Sequence, residues 1–279
     1  MVSGMVYSIM TRTTVVSLQH KKQSGIPITL VTAYDYIMAQ ILSAVGIDVV
    51  LVGDSLGNVF QGQPTTQSVT LDHMVYHTAA VRRGWPTGFI VADMPFLTAT
   101  VSEADAIQQA GRLLQEGGAD AVKIEVISQR QIPILGAIVA SGIPVMAHLG
   151  FTPQSVTQLG GYRVQGKTLE AATQCCQWAI ACEDQGAFSL VLELVPQSVA
   201  QSITASVAIP VIGVGAGSGC DGQGLVCTDI LGLSPQIPRF AKAYANVRDT
   251  MTQAFTAFQS AVHGGMFPQS DPTKSRGVK

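Results

Sequence analysis

Short runs of apolar, β-branched residues alternate along this chain with longer amphipathic stretches. Most of the runs are apolar throughout, which is typical of parallel strands covered on both faces. The pattern predicts seven strands at residues 28–34, 49–54, 89–95, 121–126, 145–150, 190–195 and 211–217, with a weaker eighth at 224–228.

The stretches between these runs have the periodicity of helices. Within residues 102–117, apolar residues such as Ala106, Ala110 and Leu113 recur at three- and four-residue steps, so the segment has one apolar face. Ser102 suits the start of this helix and Gly117 its end. Residues 71–83 show the same pattern. With no break in composition, we predict a single domain over residues 1–279. Residues 1–23 form an extension with a short first helix, and about 268–279 form a loose tail.

Two architectures fit repeated strand–helix units: a closed (β/α)₈ TIM barrel and an open, doubly wound sheet. A dinucleotide-binding open sheet carries G-x-G-x-x-G after its first strand. Here the first strand ends in "TAYD", without glycine. The sequence therefore favours the α/β barrel.

Composition narrows the classes of partner. The chain has 279 residues, of which 47% are hydrophobic and 12% charged, with a net charge of −2. So apolar a chain can bury a large core, and its low charge suggests that some surface is covered in an oligomer. It has no basic block for nucleic acid and no run of 18 apolar residues for a membrane span. Its five cysteines include no C-x-x-C pair, which favours reduced, cytosolic thiols over disulfides or a zinc site.

Four carboxylates interrupt the apolar strands. The ends of barrel strands meet on one face, where barrel enzymes keep their active sites. Burying a carboxylate without a partner is costly. A hard cation such as Mg²⁺ would relieve that cost, and Lys123 offers a positive charge for a substrate carboxylate or keto oxygen. The four carboxylates are Asp54, Asp93, Glu125 and Glu193.

Each of these residues also has a purely structural interpretation. Asp54 or Asp93 could cap the helix that follows its strand. Lys123 and Glu125 could form a simple salt bridge, and His148 could be a hydrogen-bonded core histidine. Glu193 is the hardest to explain structurally, because a buried glutamate with a raised pKa is what a general base requires. The Gly-rich segment 150–166 suits either an active-site lid or an ordinary long loop.

Nine phrases of the sequence carry a family resemblance. Together, over about residues 17–267, they resemble the ketopantoate hydroxymethyltransferase (3-methyl-2-oxobutanoate hydroxymethyltransferase) family of pantothenate biosynthesis. The phrases are "TAYDY", "LVGDSLGNVFQG", "YHTAAVRRG", "VADMPF", "AVKIE", "PVMAHLGFTPQSV", "GGYRVQG", "LVLELVP" and "IPVIGVGAG".

The resemblance implies a phosphoenolpyruvate/pyruvate-domain-like (β/α)₈ barrel and a cytoplasmic homo-oligomer, often a decamer. It implies transfer of a hydroxymethyl group from 5,10-methylenetetrahydrofolate to 3-methyl-2-oxobutanoate, with one Mg²⁺ per subunit. Glu193 then matches the proton acceptor. The implied metal residues are Asp54, Asp93 and Glu125, and the implied keto-acid contacts are Asp54, Ser55, Asp93 and Lys123.

Two other functions fit part of this pattern. A Mg²⁺-dependent keto-acid lyase or mutase on a similar barrel would use a cysteine in a mobile loop, but Cys175 and Cys176 lie in a predicted helix. A non-catalytic assembly protein would not need every one of the charged residues. The chain departs from the family near strand eight, where Gly224 replaces a larger apolar residue and Cys227 is unusual.

Overall fold

Eight parallel strands close into a barrel in sequence order in the computed structural model, which describes residues 12–268. The prediction of a (β/α)₈ barrel is confirmed. Expectations for residues 1–11 and for the tail beyond 268 lie outside the described residues. The strands are β1 (Ile28–Thr32), β2 (Val49–Val52), β3 (Ile90–Asp93), β4 (Ala121–Glu125), β5 (Val145–Gly150), β6 (Ser189–Glu193), β7 (Val211–Val214) and β8 (Gly222–Leu225).

The chain divides into two compact units, the first ending at Val226 and the second beginning at Cys227. The barrel lies in the first unit, and the single domain expected from the sequence stays a prediction. No helix within residues 12–268 has the length and apolar character to cross a bilayer. The first unit contains α1 (Val15–Gln23), α2 (Tyr36–Val45), α3 (Leu56–Val59), α4 (Leu71–Gly84), α5 (Glu103–Gln115), α6 (Gln131–Ala140), α7 (Leu169–Asp184) and α8 (Gln197–Ser206); the second contains α9 (Cys227–Ile230) and α10 (Val247–His263).

The predicted helices begin where their capping residues stand. The Ser102 hydroxyl accepts a hydrogen bond of 3.1 Å from the backbone N–H of Asp105 at the start of α5. Thr70 caps α4 in the same way, through the N–H of His73 at 3.2 Å. Such caps satisfy N–H groups that have no partner inside the helix. The short first helix expected within residues 1–23 is also present, as α1.

The observed strands are mostly shorter than the apolar runs that predicted them. The run at 211–217, for example, continues past the last paired residue of β7, Val214. The predicted bounds of the eighth strand, 224–228, were wrong, because β8 begins at Gly222 and Cys227 is already the first residue of α9. Gly224 fits a crowded position: a Cβ there would lie 3.1 Å from the side chain of Val214 and 3.2 Å from that of Leu30.

Alternate strand residues fill the inside of the barrel. The interior near the beginning of the strands is apolar. There the rings of Phe89 and Phe188 pack edge to face with 5.8 Å between centroids, and Leu18 of α1 is buried in the same cluster. Two residues further along the strands, the same alternation brings polar side chains inward. Strand register then places Asp93 beside Lys123, Glu125 beside His148, and Gly150 beside Glu193.

Candidate active site

Three buried charges form the centre of this polar layer. Lys123 Nζ lies 3.0 Å from Asp93 Oδ1, and both side chains are about 95% buried. The other oxygen of that carboxylate, Oδ2, accepts a hydrogen bond of 3.0 Å from the backbone N–H of Asp54. Lys123 therefore forms its ion pair with Asp93 of the neighbouring strand β3. The alternative of a simple salt bridge between Lys123 and Glu125 is wrong.

Asp54 and Asp93 do not cap helices, so that alternative is wrong. The Asp54 carboxylate accepts a hydrogen bond of 2.8 Å from the side-chain amide of Gln154. Burial raises the pKa of Asp54 to about 7, repulsion from Asp93 adds to the rise, and Lys123 opposes it. Two carboxylates this close cannot both ionise cheaply without a cation between them.

Lys123 keeps its charge despite its burial. Desolvation lowers the pKa of its ammonium group, but attraction to Asp93, Glu125 and Asp54 outweighs that effect and raises the pKa above its ordinary value. The site thus contains one fixed positive charge facing three carboxyl groups. This excess of carboxyl groups over positive charges suits a divalent cation more than a structural salt bridge.

Glu125 stands at the end of β4 with one oxygen satisfied and one not. Its Oε2 accepts a hydrogen bond of 3.0 Å from the backbone N–H of Gln154. Its Oε1 is buried without a hydrogen-bond partner. Burial, followed by repulsion from Asp54, raises the pKa of Glu125 well above its ordinary value. The carboxylate is therefore held in place with a free acceptor, as a metal-side ligand would be.

His148 belongs to the site and is not an isolated core histidine. Its Nδ1 lies 3.2 Å from Lys123 Nζ and its Nε2 lies 3.3 Å from Glu193 Oε2. Burial and the nearby lysine lower the pKa of His148 well below 6.5, so the ring is neutral. An ammonium group can only donate, which assigns the lone pair to Nδ1 and the ring proton to Nε2. His148 thus faces Glu193 through Nε2, which is buried without an aligned hydrogen bond.

Glu193 ends β6 in an enclosed position that still opens partly to the site. Its side chain retains 18% exposure. Burial raises the pKa of Glu193 to about 7, against the opposing attraction of Lys123. The next residue, Leu194, has a left-handed backbone with φ of 47°. Strain of this kind in a non-glycine residue is common at functional sites.

Ser55 also lies at the site, through the loop after β2. Its hydroxyl is 2.8 Å from the Tyr34 hydroxyl, the two forming a hydrogen bond. Ser55 can lie near the Asp93 carboxylate because residue 53 is glycine: a Cβ there would lie 2.7 Å from Ser55 Oγ and 3.4 Å from Asp93 Oδ2.

Gln154 is the functional residue that the sequence patterns missed. It lies in a short 3₁₀ turn, Pro153–Ser155, after β5. Its side-chain amide donates to Asp54 and, at 3.0 Å, to the carbonyl of Met94, while its backbone N–H donates to Glu125. It thereby holds two carboxylates in position. Hydrophobic periodicity could not reveal it, because it stands in a loop; its place in the "GFTPQS" phrase was the only signal.

The rest of the Gly-rich segment 150–166 covers this face. Tyr162 packs on the ring of Phe151 with 4.8 Å between centroids, yet the tyrosine is 64% exposed. Burial of its hydroxyl end, followed by repulsion from Glu193 and Asp54, raises the pKa of Tyr162. The segment is thus attached at Gln154 and exposed further along. Its role as a lid stays a prediction.

The site offers oxygen ligands without a complete metal cage. Within the described residues, no three His, Cys, Asp or Glu side chains are arranged to hold a metal ion. Mg²⁺ does not require such a cluster, since it is usually bound by one or two carboxylates with waters and substrate oxygens. Asp93 Oδ1 and Glu125 Oε1 are buried without a well-aligned hydrogen bond. Together with the repulsion between Asp54 and Asp93, these oxygens fit a hard cation.

Comparison with known proteins gives a family. The family model described as ketopantoate hydroxymethyltransferase matches residues 12–270. A 3-methyl-2-oxobutanoate hydroxymethyltransferase of Moorella thermoacetica is 47% identical over 262 residues, covering 94% of this chain and 97% of the relative. The enzyme of the same name from Thermosynechococcus vestitus is 48% identical over 255 residues, covering 91% and 98%.

Solved structures share the fold at much lower identity. A 2,3-dimethylmalate lyase of the PEP mutase/isocitrate lyase superfamily is 16% identical with a TM-score of 0.58, covering 94% of this chain and 92% of its own. A phosphonopyruvate hydrolase in complex with oxalate and Mg²⁺ is 12% identical with a TM-score of 0.60, covering 95% and 92%. At these identities the likeness concerns the fold alone, and it agrees with the (β/α)₈ barrel.

Proposed function

This chain belongs to the ketopantoate hydroxymethyltransferase family and is a transferase, and from that premise we propose its substrates and mechanism. It transfers a hydroxymethyl group from 5,10-methylenetetrahydrofolate to 3-methyl-2-oxobutanoate, with water as co-reactant, and gives 2-dehydropantoate and tetrahydrofolate. The observation that carries the proposal is Glu193. It is a buried carboxylate whose pKa is raised to about 7, beside a charged centre that suits an anionic keto acid.

Asp54, Asp93 and Glu125 would hold Mg²⁺ in this proposal. The oxygens Asp93 Oδ1 and Glu125 Oε1, which lack an aligned hydrogen bond, and the repulsion between Asp54 and Asp93 support the assignment. When bound, the cation supplies Lewis acidity that draws electron density from the keto group of the substrate. Gln154 keeps Asp54 and Glu125 in position, so that the oxygen ligands are preorganised.

Glu193 accepts the proton from the substrate carbon next to the keto group. A base works best when its pKa lies near the working pH, as it does here. Lys123 balances negative charge on the substrate from within a buried site, where electrostatic interactions are strong. Water opens the methylene bridge of the folate, which breaks its two C–N bonds and gives tetrahydrofolate and a one-carbon unit at the level of formaldehyde. The carbanion attacks that carbon to form the new carbon–carbon bond, and the oxygen takes up the proton held by Glu193 to become the hydroxyl group.

The pH dependence of proton removal tests the role of Glu193. At saturating Mg²⁺, we expect kcat/KM to rise about tenfold per pH unit below pH 7 and to level off above it, because the base must be ionised. A glutamate at its ordinary value of 4.5 would give a flat profile between about pH 6 and 8. A flat profile would therefore contradict a base whose pKa is raised to about 7.

Metal binding can be measured without turnover. In the presence of keto acid, Mg²⁺ at about a hundred times its Kd should stabilise the protein by about 2.7 kcal/mol, which raises Tm by about 5–10 °C. Asp93→Asn should abolish this shift, while the exposed control Asp72→Asn should keep it. A full shift in the Asp93 variant would remove this residue from the metal site.

The assay that decides the reaction measures product formation by NMR. The protein is incubated with 3-methyl-2-oxobutanoate, Mg²⁺ and 5,10-methylenetetrahydrofolate, or with the donor left out. We expect 2-dehydropantoate only in the complete mixture. Cleavage of a keto acid without folate would instead favour the lyase or mutase. The cysteines of α7 are not activated thiols, since burial raises the pKa of Cys176 and raises the pKa of both Cys175 and Cys182 to about 12.

We also propose a homo-oligomer, with the decamer of the family as its form. Large apolar side chains are exposed on two helices, a pattern that marks association surfaces. On α2 they are Tyr36, Ile37, Ile41 and Val45, and on α10 they are Met251, Phe255, Phe258 and Val262. The cytoplasmic location implied by the family stays a prediction.

A further inference from the structure

A separate cavity lies beside the carboxylate site. It has a volume of about 190 Å³ and is bounded by the loops after β4 and β5 and by helix α7. Its walls include Gln158, Gln165, Gln174 and Trp178. None of the residues assigned above to metal, keto acid or proton transfer lines it. The cavity thus has no role in the chemistry described so far.

The cavity wall is continuous with the backbone that carries Glu193. Gly150 lines the cavity and pairs with Glu193 in strand register. A Cβ at Gly150 would lie 2.3 Å from the Glu193 carbonyl oxygen, so no side chain can stand between these strands at this point. On the opposite wall, the N–H of Gln165 donates to the Leu194 carbonyl at 2.8 Å. A ligand in the cavity would therefore lie next to the strand that carries the base.

The lining combines one aromatic ring with amide side chains. Trp178 offers a flat apolar surface, and each of the three glutamines can both donate and accept hydrogen bonds. This chemistry suits a flat heterocycle with an amide-like edge. The volume is below the roughly 300–1,000 Å³ typical of pockets for whole drug-sized ligands, so only part of a larger molecule would enter.

Exposed polar residues adjoin the cavity. The side chains of Gln158 and Gln174 are exposed, as are Arg163 and Lys167, which flank the lining residues Gln165 and Gly166 in the chain. An anionic tail that leaves the cavity along this loop would pass these two cations. A flat heterocycle with an acidic tail is the shape of the one-carbon donor in the proposed reaction.

We propose that this cavity binds the pterin ring of the folate donor, with its glutamyl tail directed toward Arg163 and Lys167. The inference rests on the proposed function, because it places the second substrate of that reaction. It assigns recognition of the ring to Gln158, Gln165, Gln174 and Trp178. The donor carbon would then approach the keto acid from the Gly150 side.

Two cavity variants test the proposal against a matched control. Ala171 lies in the wall, so Ala171→Leu fills the cavity without removing a polar group, and Gln174→Ala removes one exposed amide from it. Gln177→Ala changes an exposed glutamine on the same helix that does not line the cavity. Binding of tetrahydrofolate is measured by calorimetry at saturating Mg²⁺ and keto acid, and KM is measured for 5,10-methylenetetrahydrofolate.

We expect the Kd for tetrahydrofolate and the KM for 5,10-methylenetetrahydrofolate to rise about tenfold or more in the two cavity variants. Both should stay within about twofold of the wild-type values in the control. Wild-type donor binding in both cavity variants would overturn the proposal, as would wild-type binding in Gln174→Ala if Ala171→Leu does not fold. Hydrogen exchange of the keto acid in D₂O, which uses no folate, separates the two levels of inference. If the wild type shows neither exchange nor product, the proposed function fails. If it makes product but donor binding ignores the cavity, only this assignment fails.

Discussion

Glu193→Gln should lower kcat for 2-dehydropantoate formation by about 10²–10⁴-fold, the usual contribution of a positioned general base. Glutamine keeps the size of the side chain and can occupy the same place 3.3 Å from His148 Nε2, so the site should keep its shape. Its amide cannot accept the substrate proton. Because the keto acid is held by other residues, KM for 3-methyl-2-oxobutanoate should change little.

The control for this variant is Glu170→Gln, which alters an exposed glutamate in the first turn of α7. It should keep wild-type activity. If Glu193→Gln retained more than about a tenth of wild-type turnover, another group would have to be the base. A large rise in KM with unchanged kcat would instead make Glu193 a binding residue.

Lys123→Met should destabilise the metal-free protein by about 3–5 kcal/mol, as expected when one partner of a buried charge cluster is removed. The variant leaves Asp93 without its cation and Glu125 and Asp54 without a nearby positive charge. Its turnover should also fall by about 10²–10³-fold, because a preorganised charge beside the substrate is lost. Urea unfolding in EDTA and steady-state kinetics measure the two effects.

Two comparisons separate these effects from general damage. Lys21→Met removes a partly exposed ion pair with Asp48 and should cost less than about 1 kcal/mol. Added Mg²⁺ should recover part of the stability lost in Lys123→Met, since it restores positive charge near the carboxylates. Equal destabilisation by both variants would show that the Lys123 cluster is no more than an ordinary ion pair.

The charged site residues could be predicted because they interrupt apolar strands. Glu193 between two leucines and Lys123 inside "AVKIE" stand where side chains must be buried, so each required a chemical explanation. The barrel then brought them together, because its strand ends share one face. His148 was in the right strand, but its contacts with Lys123 and Glu193 depend on ring orientation, which a sequence pattern does not contain.

Contacts between strands and loops were harder to predict. Lys123 pairs with Asp93 and not with Glu125, because the register between β3 and β4 places Lys123 directly beside Asp93. Gln154 reaches Asp54 from a loop 100 positions away in the chain, and no periodicity marks such a residue. The eighth strand was misplaced because its glycines hide the apolar pattern on which strand prediction relies.

The central claim is that this site removes the proton next to the keto group of the substrate. The most direct test is hydrogen–deuterium exchange at C3 of 3-methyl-2-oxobutanoate in D₂O, followed by NMR with Mg²⁺ and without folate. We expect exchange by the wild type that stops with EDTA and in Glu193→Gln. Exchange by Glu193→Gln at the wild-type rate, or product formation by a wild type that shows no exchange with or without tetrahydrofolate, would contradict it.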